Sequence, residues 1–141
     1  MVALSYSQIR KRNETTQALL DIIKAKRSSK YHSQKIKVDG LTFDSKGEAK
    51  RYQELKLLQK NRIITGLELQ KRIELQPSFT YNGKTERAIN YVADFYYYDN
   101  EKGTIVIEDF KGFKTPEYLI KRKMLIKDVC IPNGYEFLES R

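Results

Sequence analysis

A chain of 141 residues, 40% hydrophobic and 32% charged, is sized and composed for one globular domain with a modest core. Its apolar runs fall short of the roughly 20 residues a membrane span needs. The opening Met1-Val2-Ala3-Leu4-Ser5-Tyr6 lacks an apolar signal core, and the lone Cys130 excludes an internal disulfide and suits a reducing compartment, so a cytoplasmic protein is expected. The net charge is +9, and most of it lies at one end. Residues 1–38 hold nine Lys and Arg against two acids, whereas the rest hold eighteen against sixteen.

Residues 5–27 are predicted as a helix with a narrow apolar stripe of Ala18, Leu19, Ile22, Ile23 and Ala25 flanked by basic side chains. Residues 28–34 form a polar connector. Residues 1–34 are thus a basic helix and connector ahead of a domain over 35–141. Such an arm suits a polyanion, either nucleic acid or an acidic membrane surface, and makes Arg10, Arg12 and Lys30 candidate DNA contacts. A solvated basic helix, or one wrapped on a partner subunit, would carry the same charge.

Further along, 35–38 and 41–43 are short strands about an Asp39-Gly40 turn. Ser45–Lys60 is a helix with Ala49, Tyr52, Leu55 and Leu58 facing inward. Residues 62–76 are one or two strands interrupted at Gly66. Ser78–Tyr81 is a strand before an Asn82-Gly83 turn, and Ile89–Tyr98 and Thr104–Lys111 form a hairpin. Thr115-Pro116-Glu117 starts a helix reaching about Val129, Pro132-Asn133-Gly134 is a turn, and Tyr135–Leu138 a last strand.

The hairpin carries the chemistry. With Asp99 facing Thr104, Asp94 falls opposite Asp109 and Val92 opposite Lys111. Asp109 and Lys111 then share a face about 6.6 Å apart, with Asp94 about 5 Å from Asp109, while Glu108 lies on the opposite face. Opposed carboxylates raise each other's pKa unless a cation lies between them. They suit a hard divalent ion that activates water, with Lys111 orienting it or stabilising phosphorane charge. Two solvent-facing acids with Lys111 as a salt-bridge partner are the alternative. Glu48, one turn before Tyr52 on the inward stripe, either joins such a site or closes a capping box with Ser45.

On the last helix Tyr118, Leu119, Leu125, Ile126 and Val129 face inward with Arg122 between them. Arg122, Lys114, Lys121 and Lys123 are candidate phosphate contacts, or a solvated face with Arg122 snorkelling. The aromatic run Tyr91, Phe95, Tyr96, Tyr97 and Tyr98 suits sheet packing better than base stacking. A single histidine, His32, excludes His-metal nuclease chemistry and zinc clusters and disfavours Ser-His hydrolysis. No Gly-rich phosphate loop is present. Hydrolysis here would run on carboxylates, lysine and metal.

Glu48 on a helix, Asp94 ending a strand, then Asp109-Phe110-Lys111-Gly112 resemble the PD-(D/E)XK nuclease superfamily. Phe43-Asp44-Ser45-Lys46-Gly47-Glu48-Ala49, Leu75-Gln76-Pro77, Ala93-Asp94-Phe95 and Glu108-Asp109-Phe110-Lys111-Gly112 are together similar to a family of small phage-encoded proteins within it. Its wider relatives include phage Holliday-junction resolvases and the nicking subunit of certain transposases. The resemblance spans about residues 30–140 and implies an α/β (α+β) fold, a restriction-endonuclease-like mixed β-sheet flanked by helices, to which the basic N-terminal helix is an addition. It implies Mg²⁺ or Mn²⁺ on Asp94 and Asp109, assisted by Glu48, with Lys111 as catalytic lysine and Gln76 where some relatives carry an active-site glutamine. The expected function is a metal-dependent DNA endonuclease of phage recombination. Branched DNA such as a Holliday junction is the favoured substrate, and two cuts per junction imply a homodimer. The alternatives are a nickase or repair nuclease on linear DNA, and a non-catalytic DNA-binding protein that keeps the fold.

Overall fold

The computed structural model describes residues 14, 16–21 and 35–141. Of the expected N-terminal helix, residues 14 and 16–21 are described and are helical. The connector, Arg10, Arg12 and Lys30 lie outside the described residues. The fold is mixed α+β, and the chain divides into two compact units. One runs to Thr65 and includes Asn100–Lys102, and the other comprises Gly66–Asp99 and Gly103–Arg141.

In the first unit, β1 (Ile36–Val38) and β2 (Leu41–Phe43) pair antiparallel with Ile36 opposite Phe43. Asp39 (φ 52) and Gly40 (φ 77) both take left-handed backbone at the turn between them, the geometry that suits a tight hairpin. Helix α1 (Lys46–Lys60) starts at Ser45, whose hydroxyl accepts the Glu48 N–H at 3.1 Å. Its buried face holds Ala49, Tyr52, Leu55 and Leu58, the expected stripe, and also Glu54, which Arg51 neutralises at 3.0 Å. The Tyr52 hydroxyl donates to Asp39 at 3.1 Å and its ring lies 4.9 Å from that of Phe43, which ties the small hairpin to the helix. Asn100 donates its backbone N–H to the Ile63 carbonyl and its side-chain amide to that of Arg62.

The second unit is built on a four-stranded mixed sheet in the order β3 (Ile64–Gln76, which enters this unit at Gly66), β6 (Ile89–Asp99), β7 (Thr104–Phe110) and β8 (Glu136–Ser140). β6 and β7 are antiparallel, with Asp99 opposite Thr104 and Phe95 opposite Glu108, as the hairpin reading requires. β7 and β8 are parallel, and parallel neighbours need a crossover. It consists of α2 (Pro116–Leu125), a π turn (Ile126–Cys130) and α3 (Ile131–Asn133). Thr115 caps α2 by accepting the Tyr118 N–H at 3.1 Å, with Pro116 in the first turn. Tyr91, Ala93, Ile107, Tyr118, Leu125 and Cys130 make the core beneath this helix. Phe95 and Tyr97 are buried as well, so the aromatic run of β6 packs rather than stacks.

Four local expectations are corrected. Residues 64–76 are one strand, the single-strand form of the expectation without its interruption, and Gly66 (φ 67) and Gln70 (φ 51) take left-handed backbone within it instead of ending it. Lys84–Glu86 is a further strand, β5, paired with β4 (Phe79–Tyr81) about the expected Asn82-Gly83 turn. Pro132 lies inside a helical segment that stops at Gly134 (φ 67). The π turn there sends the Ile131 N–H five residues back to the Ile126 carbonyl, and a proline has no N–H to orphan in the wider turn. Leu119 is 41% exposed and does not join the inward face of α2.

Glu108 is fully buried on the face opposite α2, where it accepts from the Tyr97 hydroxyl at 2.8 Å and the Ser140 hydroxyl at 2.9 Å. Removing one donor from a buried carboxylate costs about 1–3 kcal/mol. Tyr97→Phe is therefore expected to lower unfolding stability by that amount in urea titration, with the m-value unchanged.

Candidate active site

The regular ladder between β6 and β7 ends at Phe95 opposite Glu108, and one more step in the same register would set Asp94 opposite Asp109. There side chains replace the backbone ladder. The Asp94 N–H donates to Asp109 Oδ1 at 3.1 Å, and the Phe110 N–H donates to Asp94 Oδ2 at 2.9 Å. Each carboxylate thus reaches the backbone of the opposite strand. The other two oxygens are also met: Tyr91 Oη–H donates to Asp109 Oδ2, and the Gln70 amide donates to Asp94 Oδ1 at 3.1 Å. Each carboxylate oxygen can accept twice, so the pair keeps lone pairs for a cation or water.

The face of β6 changes phase at this point. Tyr91 and Ala93 pack under α2 with Ile107, yet beyond Asp94 it is Tyr96 that joins that cluster, while Tyr97 turns to Glu108. Strict alternation would separate Tyr91 from Asp109. Carboxylates in place of ladder carbonyls release the two strands from regular pairing, and Tyr91 comes to the acid pair as a result.

Asp109 is 1% exposed. Burial raises its carboxyl pKa, the Lys111 charge and the Asp94 N–H pull it back down, and the Glu139 charge raises it. Lys111 lies with its ammonium 4.8 Å above the Tyr118 ring, and its backbone N–H extends the β7–β8 pairing to the Ser140 carbonyl at 3.0 Å. Beside these residues opens a cleft of about 230 Å³ whose walls include Asn90, Tyr91, Asp109, Lys111, Tyr118 and Lys121.

Glu139, which sequence reasoning missed, gathers the neighbouring charges. It accepts from the Tyr118 hydroxyl at 2.8 Å, pairs with Lys114 Nζ at 2.8 Å, and lies 2.8 Å from Arg122 Nε. The Arg122 contact is an ion pair without hydrogen-bond alignment, since that Nε–H has no hydrogen-bond acceptor. The Lys114 hydrogen bond, helped by Tyr118 and Arg122, holds the Glu139 carboxyl below its usual range. Burial first, and the Glu139 bond second, push the Tyr118 hydroxyl far up, so it stays a donor. Glu139 stands on β8 beside Asp109 in the parallel register. No spacing in the chain announces that pairing.

The structure therefore brings together Asp94, Asp109 and Lys111, with Lys121 on the same cleft. Lys121 pairs with Glu117 at 3.0 Å, and Lys123 is exposed. Gln76, at the end of β3, is half-buried, and the glutamine that touches the pair is Gln70. Its signal was absent from the sequence because nothing in the composition announces a non-glycine residue at φ 51 inside a strand. Glu48 is half-buried in the first turn of α1, in the other compact unit, with the Ser45 half of the capping box formed. Among the described residues no three or more His, Cys, Asp or Glu side chains form a group that could hold a metal ion. What the geometry shows is a pair of carboxylates on adjacent strands, each bonded to the backbone of the strand opposite.

A family model described as "Protein of unknown function (DUF1064)" matches residues 28–132, which takes in Gln70, Asp94, Asp109 and Lys111 but not Glu139. No curated protein and no solved structure matches the chain. No helix among the described residues is long and apolar enough to cross a membrane.

Two outcomes follow from the site alone. The raised pKa means folded Asp109 keeps its proton at pH values where the unfolded chain has lost it. That contribution to stability is full below the unfolded pKa and is lost as pH rises through the folded one. Asp109→Asn is expected to melt a few degrees above the wild type near pH 7.5 in metal-free buffer, and the gap should close toward pH 4 when followed by circular dichroism. Gln70→Gly relieves a left-handed backbone worth about 1 kcal/mol and removes the amide on Asp94. It is expected to leave stability equal or up to about 1 kcal/mol higher while weakening any activity that depends on the acid pair.

Proposed function

The chain belongs to the DUF1064 family, for which no function is known, and we propose that it is a divalent-metal-dependent endonuclease that hydrolyses phosphodiester bonds in DNA, with branched DNA as its substrate class. The observation that carries this reading is the Asp94–Asp109 pair. The two acidic side chains lie on adjacent strands, Asp109 accepting the Asp94 N–H and Asp94 accepting the Phe110 N–H, and Lys111 follows two residues after Asp109 beside a cleft.

A Mg²⁺ or Mn²⁺ ion held by Asp94 and Asp109 would supply a Lewis acid and acidify water. The donor set fits such an ion: Mg²⁺ is bound by one or two carboxylates and takes its remaining places from water and substrate phosphate. The raised pKa of Asp109 is the cost that a cation relieves. Gln70 and the Phe110 N–H orient Asp94, and Tyr91 and the Asp94 N–H orient Asp109. Lys111, which lies over the Tyr118 ring, would stabilise charge developing on a phosphoryl group. Lys121 and Lys123 would meet backbone phosphates, whereas Lys114 and Arg122 are engaged with Glu139 and hold α2 against β8. Glu48, Gln76, the homodimer and the branched substrate enter this reading through the family resemblance, and Arg10, Arg12 and Lys30 through charge.

The burial of Asp109 favours a second reading, a DNA-binding protein in which the acid pair is structural. Four-way junction, flap, duplex and single-stranded DNA incubated with Mg²⁺, Mn²⁺ or EDTA distinguish the two. Metal-dependent cutting is expected, strongest on the junction. Asp109→Ala and Lys111→Ala should each lower it by about 100-fold or more while DNA binding persists. Binding without metal-dependent cutting of any substrate would sink the nuclease reading and leave the binding protein.

A further inference from the structure

The strand that carries Asp94 grows out of a separate two-stranded ribbon. β4 and β5 form their own sheet, with Phe79 opposite Glu86, Thr80 opposite Thr85 and Tyr81 opposite Lys84. Asn82 (φ 48) and Gly83 (φ 74) close it in a tight left-handed turn. All six strand residues are exposed. Directly opposed residues share a face and successive residues alternate. One face therefore presents Phe79, Tyr81, Lys84 and Glu86, and the other Thr80 and Thr85.

Two rings on that face stand in water, Phe79 at 48% and Tyr81 at 69% exposure. A ribbon of this size is marginal on its own in water, and with every strand residue exposed, neither ring serves a core. Exposed apolar groups gathered on one face mark a binding surface. The rings lie about 6.6 Å apart along the strand. Lys84 stands across from the outer ring at the tip, Glu86 across from the inner ring at the base, and exposed Arg87 follows. Rings that stack on bases beside cations that meet phosphates are the surface for nucleic acid with unpaired bases. Fully paired DNA hides the faces of its bases, so the rings would have nothing to stack on there.

The ribbon is also placed to serve the cleft. Asn90, Tyr91 and Val92 line its wall, beginning four residues after β5 ends at Glu86. Glu86 and Asp94 are eight residues apart, at most about 26 Å of extended chain, or roughly eight base steps of duplex.

We infer that the Phe79–Glu86 ribbon binds unpaired bases of DNA near the cleft, with Phe79 and Tyr81 stacking on them and Lys84 and Arg87 meeting the adjoining phosphates. This rests on the reading of the protein as DNA-binding and supplies the element that would select branched or forked DNA over duplex.

The test uses the full chain in EDTA, so that binding is read without cutting. A forked oligonucleotide carries 2-aminopurine in its unpaired arm, beside a fully paired duplex of the same length. The wild type should bind the fork more tightly than the duplex and quench the probe. Phe79→Ala with Tyr81→Ala should abolish the quench and weaken fork binding by about tenfold or more, with duplex affinity within about twofold. Tyr81→Phe should retain both. Equal loss on fork and duplex, no loss, or no DNA binding by the wild type overturns the inference. So does unchanged DNA binding with an altered sedimentation coefficient, which would assign the ribbon to a protein partner. Fork binding through the ribbon without metal-dependent cutting in the Mg²⁺ assay would sink only the nuclease reading. Cutting whose fork preference survives the double substitution would sink only the ribbon.

Discussion

Burying a carboxyl group inside a sheet is costly unless its oxygens are met by donors, and the second unit is organised around meeting that demand at Asp109. Asp109 takes one donor from the backbone of the neighbouring strand and one from Tyr91, and Asp94 takes one from the backbone of Asp109's own strand and one from Gln70. The two strands cannot both make these bonds and continue a regular ladder. The regular ladder ends at Phe95 opposite Glu108, next to the acid pair, and side-chain carboxylates bridge the strands beyond it. The phase change at Asp94 and the turn of Tyr91 toward Asp109 accompany that exchange of ladder carbonyls for side-chain carboxylates, and Gln70, itself in left-handed backbone, reaches Asp94 from β3.

A second buried acid on the same strand follows the same rule with a different outcome. Glu108 faces away from Asp109 and is met by hydroxyls of Tyr97 and Ser140. Adjacent acids, one on each face of β7, therefore do different work. Glu108 is deep in the packing, whereas Asp109 borders a cleft that also admits Lys111. Glu139 on the next strand balances the charge. It draws Lys114 and Arg122 toward β8 and holds Tyr118, whose ring in turn carries the Lys111 ammonium. The route from Glu139 to Lys111 runs through one hydrogen bond and one cation–π contact, so part of the basic charge near the cleft is structural.

Much of this was legible beforehand where the cause is local. The Ser45 and Thr115 caps, the Asp39-Gly40 and Asn82-Gly83 turns, the buried stripe of α1 and the register of β6 against β7 each depend on a few neighbouring residues whose propensities agree. Asp94 opposite Asp109, and Glu108 on the other face, followed from counting across one short loop. Less local features were not legible. Leu119 has the spacing of an inward residue but lies at the edge of its helix face. Pro132 reads as a turn until a π turn accommodates it. Gln76 and Gln70 are both on β3, and only the folded strand shows that Gln70, in left-handed backbone, is the one that reaches Asp94.

From the sequence alone, the alternation of β6 and β7 and the four-residue connection between them point to the register seen from Phe95 opposite Glu108 to Asp99 opposite Thr104, and the family resemblance points to the mixed α+β class. Tertiary structure alone decided which other groups meet Asp94 and Asp109. Tyr91, Gln70 and Glu139 arrive through a lost ladder step, a left-handed residue and a parallel neighbour reached across a helical crossover. These are long-range contacts that exist only once the strands are side by side, and no spacing along the chain encodes them.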